Sequence, residues 1–181
     1  MAIVIAAFPG CGKSTYYNAN SIYANGGSYK NDEKRRILDS DSSLFSWIYD
    51  DFGNKSSVRN PAFPKNYIEH IKKELDNQDI IFVSTHDNVR TAMLVAGIQY
   101  VLVYPHQSMK DEWIRRYEER GNNEAFIKLI NDNWDNWIDG LRMDPTPYKI
   151  ELSYRGEDAS MTAITDYVIA IAERMVNKGG N

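Results

Sequence analysis

The chain has 181 residues, 43% of them hydrophobic and 25% charged, with a formal net charge of −4 and a pI near 5.4. That suits one globular domain, 1–181, with a substantial core, and leaves no length for a second. No apolar run in the sequence approaches the ~20 residues a membrane helix needs, so a soluble protein is expected. A broad basic surface for long nucleic acid is not advertised either, although a local basic cleft fits.

In chain order, Ile3 to Ala7 form a short apolar run bounded by Pro9 and Gly10, as expected of a fully buried parallel strand. MAIVIAAF lacks a basic preceding region, so it reads as that strand and not as a signal peptide. A helix is expected from about Lys13 toward Tyr23, stopped by Asn25-Gly26-Gly27. The charged stretch KNDEKRR leads into a brief strand at Ile37 and Leu38, closed by DSDSS. An aromatic stretch interrupted by Gly53, Pro61 and Pro64 follows, and turns helical through YIEHIKKEL. DIIFVST and IQYVLVYP are two further buried strands, with a helix through DNVRTAML between them. After Pro105 come two helices, the second marked by Ile127, Ile130, Trp134, Trp137 and Leu141, with both tryptophans read as core. YKIELSY is the last strand, and Met161, Ile164, Val168, Ile171 and Met175 mark one buried face of a final helix. Strands alternating with helices predict an α/β fold with a parallel sheet covered on both sides.

The segment AAFPGCGKST, residues 6–15, carries the chemistry. A phosphate-binding loop needs a tight turn with inward N–H groups, a helix N-terminus behind it and a lysine for the terminal phosphates. Gly10 and Gly12 supply φ freedom, Lys13 the charge and Ser14 a hydroxyl for Mg²⁺. Ala7 replaces the motif's first glycine, and a small residue suffices there if its φ stays negative. Pro9, Gly10, Cys11, Gly12, Lys13, Ser14 and Thr15 are thus the expected contacts to a nucleoside triphosphate, ATP carried with Mg²⁺. Cys11 is the sole cysteine. It permits no internal disulfide and fits a reducing, cytoplasmic compartment. Its place beside a helix N-terminus predicts a reactive thiol of lowered pKa.

With its strand–helix order and a late arginine-rich segment, the loop resembles the P-loop kinases of the nucleoside monophosphate kinase group. Only the loop is specific at the residue level. The resemblance implies a P-loop NTPase fold with a five-stranded parallel core, an acceptor-binding insertion at about 42–75 and a lid at about 106–125. It matches Arg115, Arg116 and Arg120 to the lid arginines, of which Arg116 and Arg120 lie one helical turn apart and share a face, and it implies an acceptor-phosphate arginine at Arg90, with Arg59 a second candidate. The bland alternative for the arginine segment is surface pairing of Glu112 with Arg116 and of Arg115 with Glu119.

Asp39 and Asp41 follow a strand's carboxyl end, where ligands gather in open α/β sheets. One would hold Mg²⁺ through water beside Ser14, and the other would orient or deprotonate an acceptor; the competing reading is a turn that caps the next helix. Many relatives carry an aspartate where this chain has Ser84, which shifts the metal-side carboxylate to Asp39 or Asp41, with Asp87 as fallback. The insertion's aromatics, Phe45, Trp47, Tyr49, Phe52, Phe63 and Tyr67, are either base-stacking groups or a satellite core. His70, His86 and His106 have no partners at metal-ligand spacing. The leading expectation is a kinase moving the γ-phosphoryl group of ATP to a nucleoside or deoxynucleoside monophosphate. A kinase of the same fold acting on a hydroxyl (a polynucleotide 5′ end, a nucleoside or a small metabolite) is the rival. A non-catalytic nucleotide-binding module is the third reading.

Overall fold

A computed structural model describes residues 1–24, 35–155 and 159–179. Its centre is a parallel five-stranded sheet of β1 (Ile3–Ala7), β2 (Ile37–Asp39), β5 (Ile80–Val83), β6 (Val101–Pro105) and β7 (Lys149–Arg155). The order is β2-β5-β1-β6-β7, and a short antiparallel strand β8 (Ala159–Met161) closes the β7 edge. The three central strands are buried almost throughout, because helices flank the sheet and leave no polar face. The chain leaves β1 toward the β5 side and later passes from β5 to β6 on the other side of β1. That reversal puts a crevice at the carboxyl ends of β1 and β5, the usual ligand position in open α/β sheets.

Helix α1 (Lys13–Asn20) ends earlier than its sequence suggests. Ser21 turns extended there and its hydroxyl donates to the Ile37 carbonyl at 3.1 Å, drawing the chain onto the sheet edge. The Asn25-Gly26-Gly27 stop lies outside the described residues. Helix α2 (Ser43–Ser46) and a hairpin of β3 (Trp47–Tyr49) and β4 (Lys55–Arg59) occupy the aromatic stretch. Its alternating pattern was too short to show as strands in the sequence. Helix α3 (Lys65–Glu74) buries Tyr67, Ile68 and Ile71 in the core. Within the anticipated 42–75 insertion, α3 thus belongs to the main core, and Phe45 of α2 packs against it.

Helix α4 (Asp87–Val95) links β5 to β6, and a 3-10 turn (Gln107–Met109) leads into α5 (Lys110–Glu119). The segment anticipated as a lid, 106–125, is mostly this helix, and it is packed down: Trp113 and Tyr117 are fully buried against the loop after β1. Helix α6 (Glu124–Arg142) buries Ile130, Trp134, Ile138 and Leu141. Trp137, read from the sequence as core, is 37% exposed. Helix α7 (Asp166–Gly179) closes the fold. Among the described residues, no helix is long and apolar enough to cross a membrane.

Candidate functional site

The loop between β1 and α1 takes its shape from two glycines and from α5. Gly10 and Gly12 have φ of +82° and +89°, a region that side chains disfavour. Every described residue with positive φ is a glycine, so Ala7 keeps an ordinary strand conformation. Its methyl is buried as the last residue of β1, which explains why the motif's first glycine is dispensable here. The Pro9 carbonyl accepts from Trp113 Nε1 and from the Tyr117 hydroxyl, both at 2.8 Å. Those two donors hold the carbonyl back toward α5. The amides of Gly10, Gly12, Lys13, Ser14 and Thr15 are left without a backbone acceptor among the described residues. All five residues line one cleft of about 1510 Å³. Successive free N–H groups at a helix N-terminus form an anion-binding nest.

Cys11 departs from the expectation. Its amide donates to the Phe8 carbonyl at 3.2 Å, and its side chain is buried away from the cleft. Burial pushes the thiol up to about 12, against the downward pull of Lys13 and Arg116. The helix terminus does not lower it, because the thiol sits in the core beneath the loop. Cys11 is therefore a packing residue and not a ligand contact or a reactive thiol. Pro9 acts likewise through its tethered carbonyl, having no N–H to offer.

Lys13 Nζ donates to the Ala7 carbonyl at 2.7 Å, folded back across the loop. Burial depresses its pKa and the Arg120 charge adds to that, while Asp39 and Asp41 oppose it. Ser14 Oγ donates to Asp39 Oδ2 at 2.7 Å. This pair of hard oxygen donors at the mouth of the nest fits Mg²⁺. Asp41 accepts the Ser43 amide at 2.8 Å and the Ser43 hydroxyl at 2.7 Å, so the capping turn is present. It nonetheless lines the cleft, held in one orientation by that turn. Tyr67 donates its hydroxyl to the Ser40 carbonyl at 2.8 Å and fixes the loop between the two aspartates. Ser84 bonds His86 Nδ1 at 3.1 Å, and the His86 pKa is lowered by burial and by the Arg59 and Lys13 charges.

The arginines divide. Arg90 lines the cleft but is spent on the protein. Its Nε donates to the Thr85 carbonyl at 3.0 Å, one terminal nitrogen reaches Asp87 at 3.2 Å, and the other pairs with buried Asp144. Tyr100 donates to the same carboxylate at 2.9 Å. The sequence could not show this partner, 54 residues away. Arg116 is also committed: it donates to the carbonyls of Gly10 at 3.2 Å and Thr162 at 2.6 Å, to Glu112 at 2.8 Å, and lies over the Trp113 ring. Both surface pairings weighed from the sequence, Glu112–Arg116 and Arg115–Glu119, are present. Arg120 alone of the arginine group is exposed on the cleft with no ion pair among the described residues. Arg59 lines the cleft from the hairpin, its guanidinium 3.9 Å over the Trp47 ring.

Sequence reasoning missed Trp113 and Tyr117 as shapers of the loop. Their spacing of four on α5 was the available signal. No protein family, no curated protein and no solved structure matches the chain.

Proposed function

We propose that the chain is a P-loop NTPase-fold phosphotransferase that moves the γ-phosphoryl group of ATP·Mg²⁺ to a small acceptor. One observation carries the reading: the residues of five free amides, Lys13, the Ser14–Asp39 pair and Asp41 line a single cleft at the sheet's switch point. The amides and Lys13 would bind the phosphates, and Ser14 with Asp39 would hold the Mg²⁺. The ion supplies charge neutralisation of the phosphate oxygens. Arg120, exposed on the cleft and without an ion pair among the described residues, would meet the charge that spreads over the transferred group.

The acceptor end supports a hydroxyl over a phosphate. The cation expected to clamp an acceptor phosphate, Arg90, is consumed by Asp144, Asp87 and Thr85. A carboxylate held by its own turn, Asp41, also lines the cleft. Asp41 would take the hydroxyl proton as the acceptor oxygen bonds to the γ-phosphorus and the bond to the ADP oxygen breaks. The monophosphate reading, foremost on the sequence, retains Arg59, an exposed cation on the same wall.

The deciding measurement is ATP consumption coupled to acceptor product across nucleosides, nucleoside monophosphates, sugars and 5′-hydroxyl oligonucleotides, with Lys13→Ala as control. Tight ATP binding with no product from any acceptor would reduce the protein to a nucleotide-binding module. Product from monophosphates alone would return the acceptor role to Arg59.

A further inference from the structure

The turn after β2 and the helix α2 that follows it place three serines on the cleft: Ser40, Ser42 and Ser46. All three are buried, at 5%, 6% and 4% exposure, yet none spends its hydroxyl on the protein among the described residues. Ser43 in the same run does spend its own, donating to Asp41 at 2.7 Å. A buried hydroxyl without a partner costs free energy, and native proteins leave few of them.

The carbonyls of these residues are engaged, so the hydroxyls are what remains. The Ser40 carbonyl accepts from Tyr67 at 2.8 Å, and its amide donates to the Phe82 carbonyl at 3.0 Å, while its Oγ is enclosed and unpaired. The Ser42 carbonyl accepts from the amides of Phe45 and Ser46, and the Ser46 carbonyl accepts from Asn60 at 3.1 Å. Ser42 stands at the start of α2, where a serine normally spends its hydroxyl on an amide of the first turn. Its backbone is already helical there, with φ of −62° and ψ of −18°, and no such bond forms. Ser42 and Ser46 lie one turn apart on one face of α2. Neither oxygen is fully enclosed, so the little surface each residue keeps on the cleft includes its hydroxyl.

Position assigns this wall to the acceptor. Ser40 directly follows Asp39, whose carboxylate meets the Ser14 hydroxyl at 2.7 Å, where Mg²⁺ would bind. The metal of such a site bridges the β- and γ-phosphates. The wall therefore begins at the donor's terminal phosphate and not at its base. A serine hydroxyl both donates and accepts, which matches an array of neutral hydroxyls. A phosphate offers acceptors only, and here it would meet the carboxylates of Asp39 and Asp41. The hairpin's cation on the cleft, Arg59, is stacked 3.9 Å over Trp47, and Lys55 lies 4.4 Å over the same ring. That indole is thus occupied by the protein's own cations.

We infer that the acceptor is an uncharged polyol, a sugar or sugar alcohol without a nucleobase, whose neighbouring hydroxyls bond Ser40, Ser42 and Ser46. One further hydroxyl of the same molecule is thereby presented to Asp41 for transfer. Its proton passes to the carboxylate, its oxygen bonds to the γ-phosphorus, and the bond to the ADP oxygen breaks. The inference rests on the phosphotransferase reading for that transfer, but the polyol site stands on the serine wall by itself.

The test is calorimetric titration of the full chain, saturated with a non-hydrolysable ATP analogue and Mg²⁺. The probes are free pentoses, hexoses and linear sugar alcohols, with nucleosides and their 5′-monophosphates for comparison. At least one base-free polyol binds, and its binding weakens about fivefold in Ser42→Ala and in Ser46→Ala, as loss of one hydrogen bond predicts. The double variant weakens it further, and the analogue's own affinity stays within twofold. Alanine favours the helix at both positions, and circular dichroism of each variant guards against misfolding. Unchanged polyol affinity in the folded variants overturns the inference, as does binding confined to nucleosides and monophosphates, or none at all. A polyol that displaces the analogue overturns it too, by assigning the wall to the donor's ribose. A polyol bound through the serines but never phosphorylated would sink the phosphotransferase reading and leave the site. Phosphorylation of nucleotides alone would do the reverse.

Discussion

The indole N–H of Trp113 stands 2.8 Å from the carbonyl oxygen of Pro9, 104 positions earlier in the chain. The Tyr117 hydroxyl reaches the same oxygen at 2.8 Å. This shared acceptor makes the two donors partly redundant. Tyr117→Phe alone should cost about 1 kcal/mol, since the carbonyl keeps one partner. Adding Trp113→Phe removes both donors from this part-buried carbonyl and should cost about 1 kcal/mol beyond the sum of the single changes. Urea unfolding of the four species measures the coupling, and strict additivity would mean that the carbonyl is satisfied elsewhere.

Gly10 meets the same helix from the other side. A Cβ there would stand 2.9 Å from Trp113 Nε1 and 3.3 Å from Tyr117 Cε1, on a backbone with φ of +82°. Gly10→Ala should therefore destabilise the chain by about 1–3 kcal/mol and weaken ATP binding together. ATP affinity within twofold of the native protein would show that the loop geometry does not govern the nest.

Cys11 gives a pH prediction. Its thiol is raised from 9.0 to about 12 by burial, so the folded protein holds its proton where the unfolded chain releases it. Stability from this group is complete below pH 9 and is lost as pH climbs from 9 toward 12, at up to about 1.4 kcal/mol per unit. The difference in unfolding free energy between native protein and Cys11→Ala should shrink over that window. The native thiol should also resist alkylation at pH 8, with or without ATP·Mg²⁺. Fast labelling that nucleotide suppresses would put the thiol back in the cleft.

Arg90 and Asp144 form a buried pair, so removing one partner strands the other. Asp144→Ala should cost about 3–5 kcal/mol and lower Tm accordingly. Arg90→Ala should likewise act mainly on Tm, with little change in the acceptor KM of the surviving fold. A tenfold rise in acceptor KM at unchanged Tm would make Arg90 a ligand contact after all.

The sequence's legible parts were those where local pattern and burial agree. The apolar runs at Ile3–Ala7, Ile80–Val83 and Val101–Pro105 are strands because they are covered on both faces, and a continuous apolar run records that directly. Gly10, Gly12, Lys13 and Ser14 were legible because the loop's backbone demands are local. The errors lie where a residue's role depends on a partner far away. Arg90 looks like a free cation until Asp144 folds beside it, and Cys11 looks exposed until the core closes over it. Trp137 continues an apolar helical stripe, yet that stripe turns partly toward the cleft. The β3–β4 hairpin was hidden because its five-residue strand KSSVR is mostly exposed and lacks a buried face.

Arg116 and Arg120 were expected to share one task, and the structure separates them. Arg116 ties the Gly10 carbonyl to the Thr162 carbonyl while its plane covers the Trp113 ring, so its charge is committed to holding the loop against the segment before α7. Arg120 sits one turn further, exposed at the carboxyl end of α5, where its charge already reaches Lys13. A cation that must follow a moving phosphoryl group needs freedom, and only Arg120 has it. Arg120→Ala should lower kcat by roughly a thousandfold with Tm unchanged, and Arg120→Lys should restore part of the rate, since charge is retained without the guanidinium fork. Arg116→Ala should instead lower Tm and raise the KM for ATP, because two part-buried carbonyls lose this donor. Turnover under saturating ATP, measured beside thermal unfolding for both variants, distinguishes the roles. If Arg116→Ala abolishes kcat at native Tm while Arg120→Ala leaves kcat intact, the assignment is reversed.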